Sequence, residues 1–429
     1  MSGEAITRRR RGSASDTWPR VRLGEVCVSL TSQIRQRDLD GNTGPYPIFG
    51  AAGFLRNSCF CMVDKPAIAM VKDGAGVGRV MCIPANSAVI GTMLILKPNN
   101  GIDRGYLFYA LSSLNLGRLC SGATIPHLYF RDMKALTVPL PPLAIQRRIA
   151  AKLDRLCDIV AKRKNQLSQL NQLVKSRFVE MFGDLVKNDK GWPLLPLGKV
   201  CDVRDGTHAS PQYLMSGYPL MTSKNFTNGY EDFSDVKLIS KEDFEEINRR
   251  SRVDVGDIVM PMIGTIGNPV IITTRREFAI KNVSLIKFVV GSPINVFVKA
   301  VLSSQYFQRV VDEKNRGNTQ KFIALSDIRG FNIPLPPLAL QREFAAFVEK
   351  VDKLAAAVKR GLEAAERLYR QQMQEFFGET ATNTTKTTET TKTTKTANAG
   401  GFSLSGLSTP SQGLNSPVGH RAKGGNANG

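Results

Sequence analysis

The chain has 429 residues, of which 42% are apolar, and a formal net charge of +21. That length suggests two to three domains with real cores, and no apolar run is long enough for a signal peptide or a membrane span, so the chain reads as soluble and cytoplasmic. Seven cysteines without a CxxC pair, and histidines only at His127, His208 and His420, exclude a disulfide framework and a zinc site by pattern, and no other metal site is visible.

The charge is uneven. The tail from Thr380 contributes +4 and residues 1–17 contribute +2, which leaves +15 on the body between them. A body that basic points to a polyanionic partner such as nucleic acid.

In chain order, residues 1–17 hold RRRRG and little to bury, and read as a disordered basic N-terminus. A first globule spans 18–138 and opens with WPRVRLGEVC at Trp18. Its short apolar runs, broken by Gly, Pro and Asn, predict strands and turns, with Cys59 and Cys61 at alternating strand positions. IAMVKDGAGVGRV follows from Ile68. Its glycines are spaced GxGxG, not GxGxxG, and RVMCIP alternates as a strand does, so a tight strand–turn–strand is expected and not a dinucleotide cradle. Lys72, Asp73 and Arg79 would stand around that turn. A helical stretch, LFYALSSL from Leu107, and a Gly/Thr loop, SGATIPHL from Ser121, close the globule.

Residues 139–183 begin PLPPLAIQR at Pro139, and residues 334–379 begin PLPPLALQR at Pro334, with eight of nine positions identical. EMFGD at Glu180 returns as EFFGE at Glu375 with the same offset. Between these ends only a pattern persists. Alternating steps of four and three from Ile149 reach Leu153, Leu156, Val160, Arg163, Leu167, Leu170, Val174, Arg177 and Met181. The same steps from Phe344 reach Val348, Val351, Ala355, Val358, Leu362, Ala365, Tyr369, Gln372 and Phe376. Such a seam predicts two long helices that pack as a coiled coil, each about 60 Å long at ~1.5 Å per residue. Prolines 141, 142, 336 and 337 suit helix starts, and Gly183 and Gly378 stand where left-handed caps are wanted.

Between the helices, residues 184–333 form a linker and a second globule. WPLLPLGKVC at Trp192, IVMPMIGTIGNPV at Ile258, VFVKAVLSS at Val296 and RGNTQKFI at Arg316 echo the first globule weakly. Residues 380–429 read as a disordered low-complexity tail. The fold class expected is α+β: two mainly-β globules, each followed by a long helix, the helices forming an antiparallel coiled coil with internal pseudo-twofold symmetry. No phosphate loop, methyltransferase tetrapeptide or HExxH is present, so any catalysis must come from another chain.

Two different globules, each followed by a repeated helix that starts PLPPLAxQR and ends FG[DE], with WPxxxLG(E/K)VC at each opening, closely resemble the specificity subunit of type I restriction-modification systems. The resemblance covers residues 18–379. It departs at Ile145 and Leu340, where the family often has Glu. It implies that the globules are target recognition domains, each reading one half of a split, asymmetric DNA site, and that the helices set their separation. It also implies partners: two modification subunits that bind S-adenosylmethionine and methylate adenine, and restriction subunits that use ATP and Mg to translocate and cut. This chain itself would hold no cofactor.

Base readout needs Arg, Lys, Asn, Gln or His at groove edges. Candidates in or beside predicted loops are Arg35, Arg37, Lys72, Arg79, His127, Tyr129 and Arg131 in the first globule. In the second they are Arg204, His208, Lys224, Asn225, Lys281, Asn282, Arg316 and Lys321. Two other readings stay open on sequence: the recognition partner of a type IIB-like methyltransferase-nuclease, and a coiled-coil scaffold whose globules bind protein.

Overall fold

The structure is a computed structural model, and it describes residues 18–122, 126–263, 266–315 and 322–378. The expected disordered ends at 1–17 and 380–429 lie outside these residues. The chain divides into two compact units, residues 1–164 with 359–429 and residues 165–358.

In the first unit, β1 (Arg20–Arg22) pairs antiparallel with β9 (Thr137–Pro139) and closes the globule where its chain enters and leaves. Between them lie β2 (Cys27–Thr31), β3 (Tyr46–Gly50), β4 (Gly53–Ser58), β5 (Ala67–Val71), β6 (Val80–Ile83), β7 (Ala88–Val89) and β8 (Met93–Pro98). They form a four-stranded antiparallel sheet, β2-β8-β5-β6, and a three-stranded sheet, β4-β3-β7, in which β3 and β7 run parallel. The second unit repeats this plan strand for strand. Its strands are β10 (Leu194–Pro196), β11 (Asp202–Asp205), β12 (Tyr218–Met221), β13 (Lys237–Ile239), β14 (Ile258–Pro261), β15 (Val270–Ile271), β16 (Ala279–Ile280), β17 (Val283–Lys287) and β18 (Asn332–Pro334). Its sheets are β10-β18, β11-β17-β14-β15 and β13-β12-β16. Every strand of one unit therefore has its counterpart nine strands later.

Period-two alternation explains the layering. Ile68 and Met70 of β5, with Leu94 and Leu96 of β8, face a helical core, while Ala69, Val71, Met93 and Ile95 pack on the other side of the sheet. In the second unit Ile258, Met260 and Ile286 face the helices, and Val259, Val283 and Leu285 the opposite layer.

The long helices run Leu143–Phe182 and Leu338–Phe377. Both proline pairs precede the first helical residue. Gly183 ends the first helix at φ 78°. Gly378 is not in the left-handed region, which corrects the cap expected there: its N–H donates to Gln374 O at 2.9 Å and simply continues the last turn.

Within each unit, one half of each long helix packs antiparallel on half of the other. In the first unit Lys152 Nζ lies 5.5 Å from the Phe376 ring centre and Lys164 Nζ lies 3.4 Å from Glu366. In the second, Arg177 reaches Glu343 at 2.8 Å and stacks over Phe347, while the Phe182 and Phe344 rings meet at 5.5 Å.

Toward each end of the helices the seam shares a core with a globule. Ile149, Leu153, Leu156 and Tyr369 share a core with Tyr106–Leu111 of helix Arg104–Ser113. Phe178, Met181, Phe182 and Phe344 do the same with Phe297–Leu302 of helix Asn295–Leu302. In mid-helix, outside those cores, Val160, Val351, Val358 and Ala365 are still buried, whereas Leu167, Leu170 and Leu362 stay half-buried. The helix ends are thus part of the globule cores, and the compact units cut both helices in mid-length where the sequence reading divided the chain at 138, 183 and 333.

Candidate nucleic-acid interface

The DGAGVG segment forms the expected turn. Gly74, Gly76 and Gly78 all take φ between 83° and 85°, a region open to glycine at no steric cost. Val71 N–H donates to Arg79 O at 2.9 Å and Gly78 N–H to Val71 O at 2.8 Å, so the chain turns directly into β6. With a strand and no helix following, there is no helix N-terminus to cradle a phosphate.

The loop after Ser121 folds back onto this turn. His127 bridges Asp73 and Ser121, Leu128 N–H donates to Lys72 O at 2.8 Å, and Gly74 N–H donates to Pro126 O at 3.0 Å. Lys72, His127, Tyr129 and Arg131 are thereby brought together. His127 Nδ1 lies 2.9 Å from Asp73 Oδ1, and Lys72 Nζ lies 3.5 Å from Asp73 Oδ2. The His127 ring stacks on Tyr129 at 6.4 Å, and Arg131 Cζ sits 4.6 Å from the Tyr129 ring centre. The result is a mixed polar and aromatic surface in which Asp73 engages Lys72 and His127, and Asp132 Oδ1 lies 3.5 Å from Arg131 Nε.

Arg35 and Arg37 flank the start of the short helix Gln36–Leu39 and are exposed. Their loop is tied to the same turn by backbone bonds, Gly91 N–H to Ile34 O and Lys72 N–H to Thr92 O. Arg79 is exposed, and one nitrogen of its guanidinium donates to Ala51 O in the β3–β4 turn.

In the second unit the candidates converge differently. His208 Nε2 lies 2.8 Å from Asp205 Oδ2, and His208 Nδ1 lies 2.9 Å from Asn282 Oδ1. Both partners are acceptors, so both ring nitrogens are called on to donate and the charged imidazolium is favoured. The His208 pKa is accordingly raised, first by the Asn282 bond and then by Asp205. Arg250 also binds Asp205, at 2.8 Å, and Arg204 donates to Asp202 Oδ2 and to Arg250 O.

Several candidates fail as free readers. Lys281 is 9% exposed with Nζ 2.6 Å from Ser210 Oγ. Asn225 is 5% exposed, and its amide donates to Asp232 O and Asp235 O while accepting from Thr222 N–H. It is a loop brace; sequence could not separate it from a groove residue, because loop Asn serves both ends. Lys224 beside it is exposed. Arg316 and Lys321 lie outside the described residues. Cys59 and Cys61 are exposed and follow β4, so they are loop thiols and not alternating strand positions.

Sequence reasoning passed over Asp205, Arg250 and Phe322 as site residues. Ile263 bridges Phe322 in the second unit as Asp73 bridges His127 in the first, and Phe322 is 49% exposed. The two loops correspond, but an aromatic hydrocarbon replaces an imidazole. Among the described residues no group of three His, Cys, Asp or Glu is placed to hold a metal, and no helix is long and apolar enough to cross a membrane.

The twofold plan has a counterpart among known proteins. Residues 15–172 and 189–367 each match the sequence model of the type I restriction modification DNA specificity domain. The chain belongs to that family. Each match takes in one globule and most of the long helix after it, so the repeat seen in the sequence is the family's domain present twice. The chain is similar to the type I restriction enzyme MjaVIII specificity subunit of Methanocaldococcus jannaschii, with 24% identity over 398 residues, 83% of this chain and 91% of that protein. It is 27% identical to the EcoBI specificity subunit of Escherichia coli over 284 residues, 58% of each. The crystal structure of the type I restriction-modification S subunit from M. genitalium superposes with a TM-score of 0.60 at 16% identity, covering 87% of this chain and 99% of that one. That likeness is one of fold. DNA specificity is the role of the family's domain, and the chain carries no catalytic signature of its own.

Proposed function

We propose that this chain reads a two-part, asymmetric DNA target, one part with each globule, as the specificity subunit of a type I restriction-modification complex. One observation carries the reading: an identical strand plan is built twice, yet its reading loops bear different chemistry, His127 and Tyr129 in one and Phe322 in the other. Identical folds with unlike loops suit unlike half-sites joined by unread base pairs.

Catalysis belongs to partner subunits: two modification subunits that methylate adenine with S-adenosylmethionine, and restriction subunits driven by ATP. A stoichiometry of two is supported by apolar residues left exposed off the seam. Ile159 (43%) recurs as Leu354 (54%), and Leu173 (48%) recurs as Leu368 (42%), each 195 positions on. Each unit exposes one pair drawn from its two helix halves, a repeated surface for a repeated partner.

The test is single-molecule mapping of methylated adenine in cells that express the chain with its modification subunit, against cells without the chain. A split asymmetric motif that disappears with the chain is expected. Exchange of residues 18–138 for another family member's first globule should then change one half of the motif; a change in both halves would refute modular reading.

A further inference from the structure

Gln146 and Gln341 occupy equivalent places in the repeat, and each is 1% exposed. A buried amide must satisfy its donors and its acceptor inside the protein. Gln146 Oε1 accepts from the Asp103 backbone N–H at 2.8 Å, while Nε2 donates to Pro141 O at 2.9 Å and Gly101 O at 3.2 Å. Gln341 Oε1 accepts from the Ile294 N–H at 2.8 Å, and Nε2 donates to Pro336 O at 2.7 Å.

Asp103 and Ile294 are the N-cap residues of helices Arg104–Ser113 and Asn295–Leu302, the helices that pack beneath each four-stranded sheet. One side chain in the first turn of each long helix therefore grips two things at once. It holds the entry to the globule's own helix, and it holds the proline segment that leaves the globule. The donor's side chain is immaterial, since the bond is to backbone; Asp in one unit and Ile in the other serve equally. The surrounding contacts are apolar and non-directional, whereas these bonds fix an angle.

We infer that Gln146 and Gln341 are positioning residues that set the angle of each globule on its long helix, and with it the selectivity for the number of base pairs between the two half-sites. This rests on the recognition function proposed above. The leverage suffices: a swing of ~0.1 radian moves a point ~30 Å away by ~3 Å, close to the ~3.4 Å rise of one base pair.

The test uses the full chain co-expressed with its modification subunit, with methylated adenine mapped for wild type, Gln146→Met, Gln341→Met and Ile294→Pro. The last removes the backbone donor, and Ile294 already has φ −68°, the angle proline imposes. All three variants should keep both half-site sequences while methylation at sites one base pair longer or shorter rises at least tenfold relative to the wild-type spacing. Combining Gln341→Met with Ile294→Pro should relax the spacing no further than Gln341→Met alone, because that variant already breaks the bond from the Ile294 amide along with the bond to Pro336 O. An unchanged spacing preference, or an equal fall at every spacing, would overturn the inference. Hydrogen exchange at the Asp103 and Ile294 amides supplies a readout without DNA: it should quicken at least tenfold in the matching Gln→Met variant, and no change there would equally refute the joint. If wild type yielded no two-part motif, the recognition function would fail, while quickened exchange would still uphold the joint.

Discussion

His127 holds its Nδ1 atom 2.9 Å from Asp73 Oδ1, which commits that nitrogen to donating and leaves Nε2 without a partner among the described residues. In the neutral ring Nε2 is then an acceptor, suited to an exocyclic amine at a major-groove edge. His127→Ala should relax one position of one half-site by about tenfold, within the ~1–3 kcal/mol expected of a good base contact, and leave the other half untouched. Motif mapping would show it; an unchanged base preference would remove His127 from the readers.

His208 should make the second unit's stability depend on pH. Its pKa is raised by Asn282 and Asp205, so the stabilisation is fully present below the ordinary value of about 6.5 and is lost as pH rises through the higher folded value. The side chain is 63% exposed, and solvent screening holds the effect well under ~1 kcal/mol. His208→Gln should lower the melting temperature slightly at pH 6 and by less at pH 8.5. An equal drop at both would show that the charged form is not what binds.

Asn225 should matter for stability and not for specificity. Asn225→Ala strands the carbonyls of Asp232 and Asp235 and the N–H of Thr222, at a cost of ~1–3 kcal/mol. Denaturant unfolding should register that loss while the methylation motif stays the same. A changed motif would return Asn225 to the reading surface.

Leu153 and Leu173 lie on one helix but should behave oppositely. Leu153 is fully buried against helix Arg104–Ser113 and the second long helix, so Leu153→Ala should cost ~2–5 kcal/mol. Leu173 is 48% exposed, and Leu173→Lys should change stability by no more than ~0.5 kcal/mol. Paired with Leu354→Lys, it should reduce the modification subunits bound from two to one in native mass spectrometry. Retention of both would place the partner surface elsewhere.

The long helices, their seam and the duplication were legible in the sequence because these are local properties. A period of 3.5 and a kept PLPPLAxQR opening survive without any knowledge of neighbours, and so does the glycine turn after β5, where no other residue takes three left-handed angles in six positions. What the helices pack against was not legible: that Tyr369 and Met373 enter the core formed by Tyr106–Leu111 depends on contacts more than 250 positions apart. The candidate surface was legible only as a set of residue types. Lys281 and Asn225 have the chemistry of groove contacts, but both are buried and tertiary neighbours engage their polar ends. Asp73 and Asp205, which are not among the groove-contact candidates, orient His127 and His208. Spacing along the chain can say which groups a loop carries; only the fold decides which of them find a partner inside the protein and which are left for DNA.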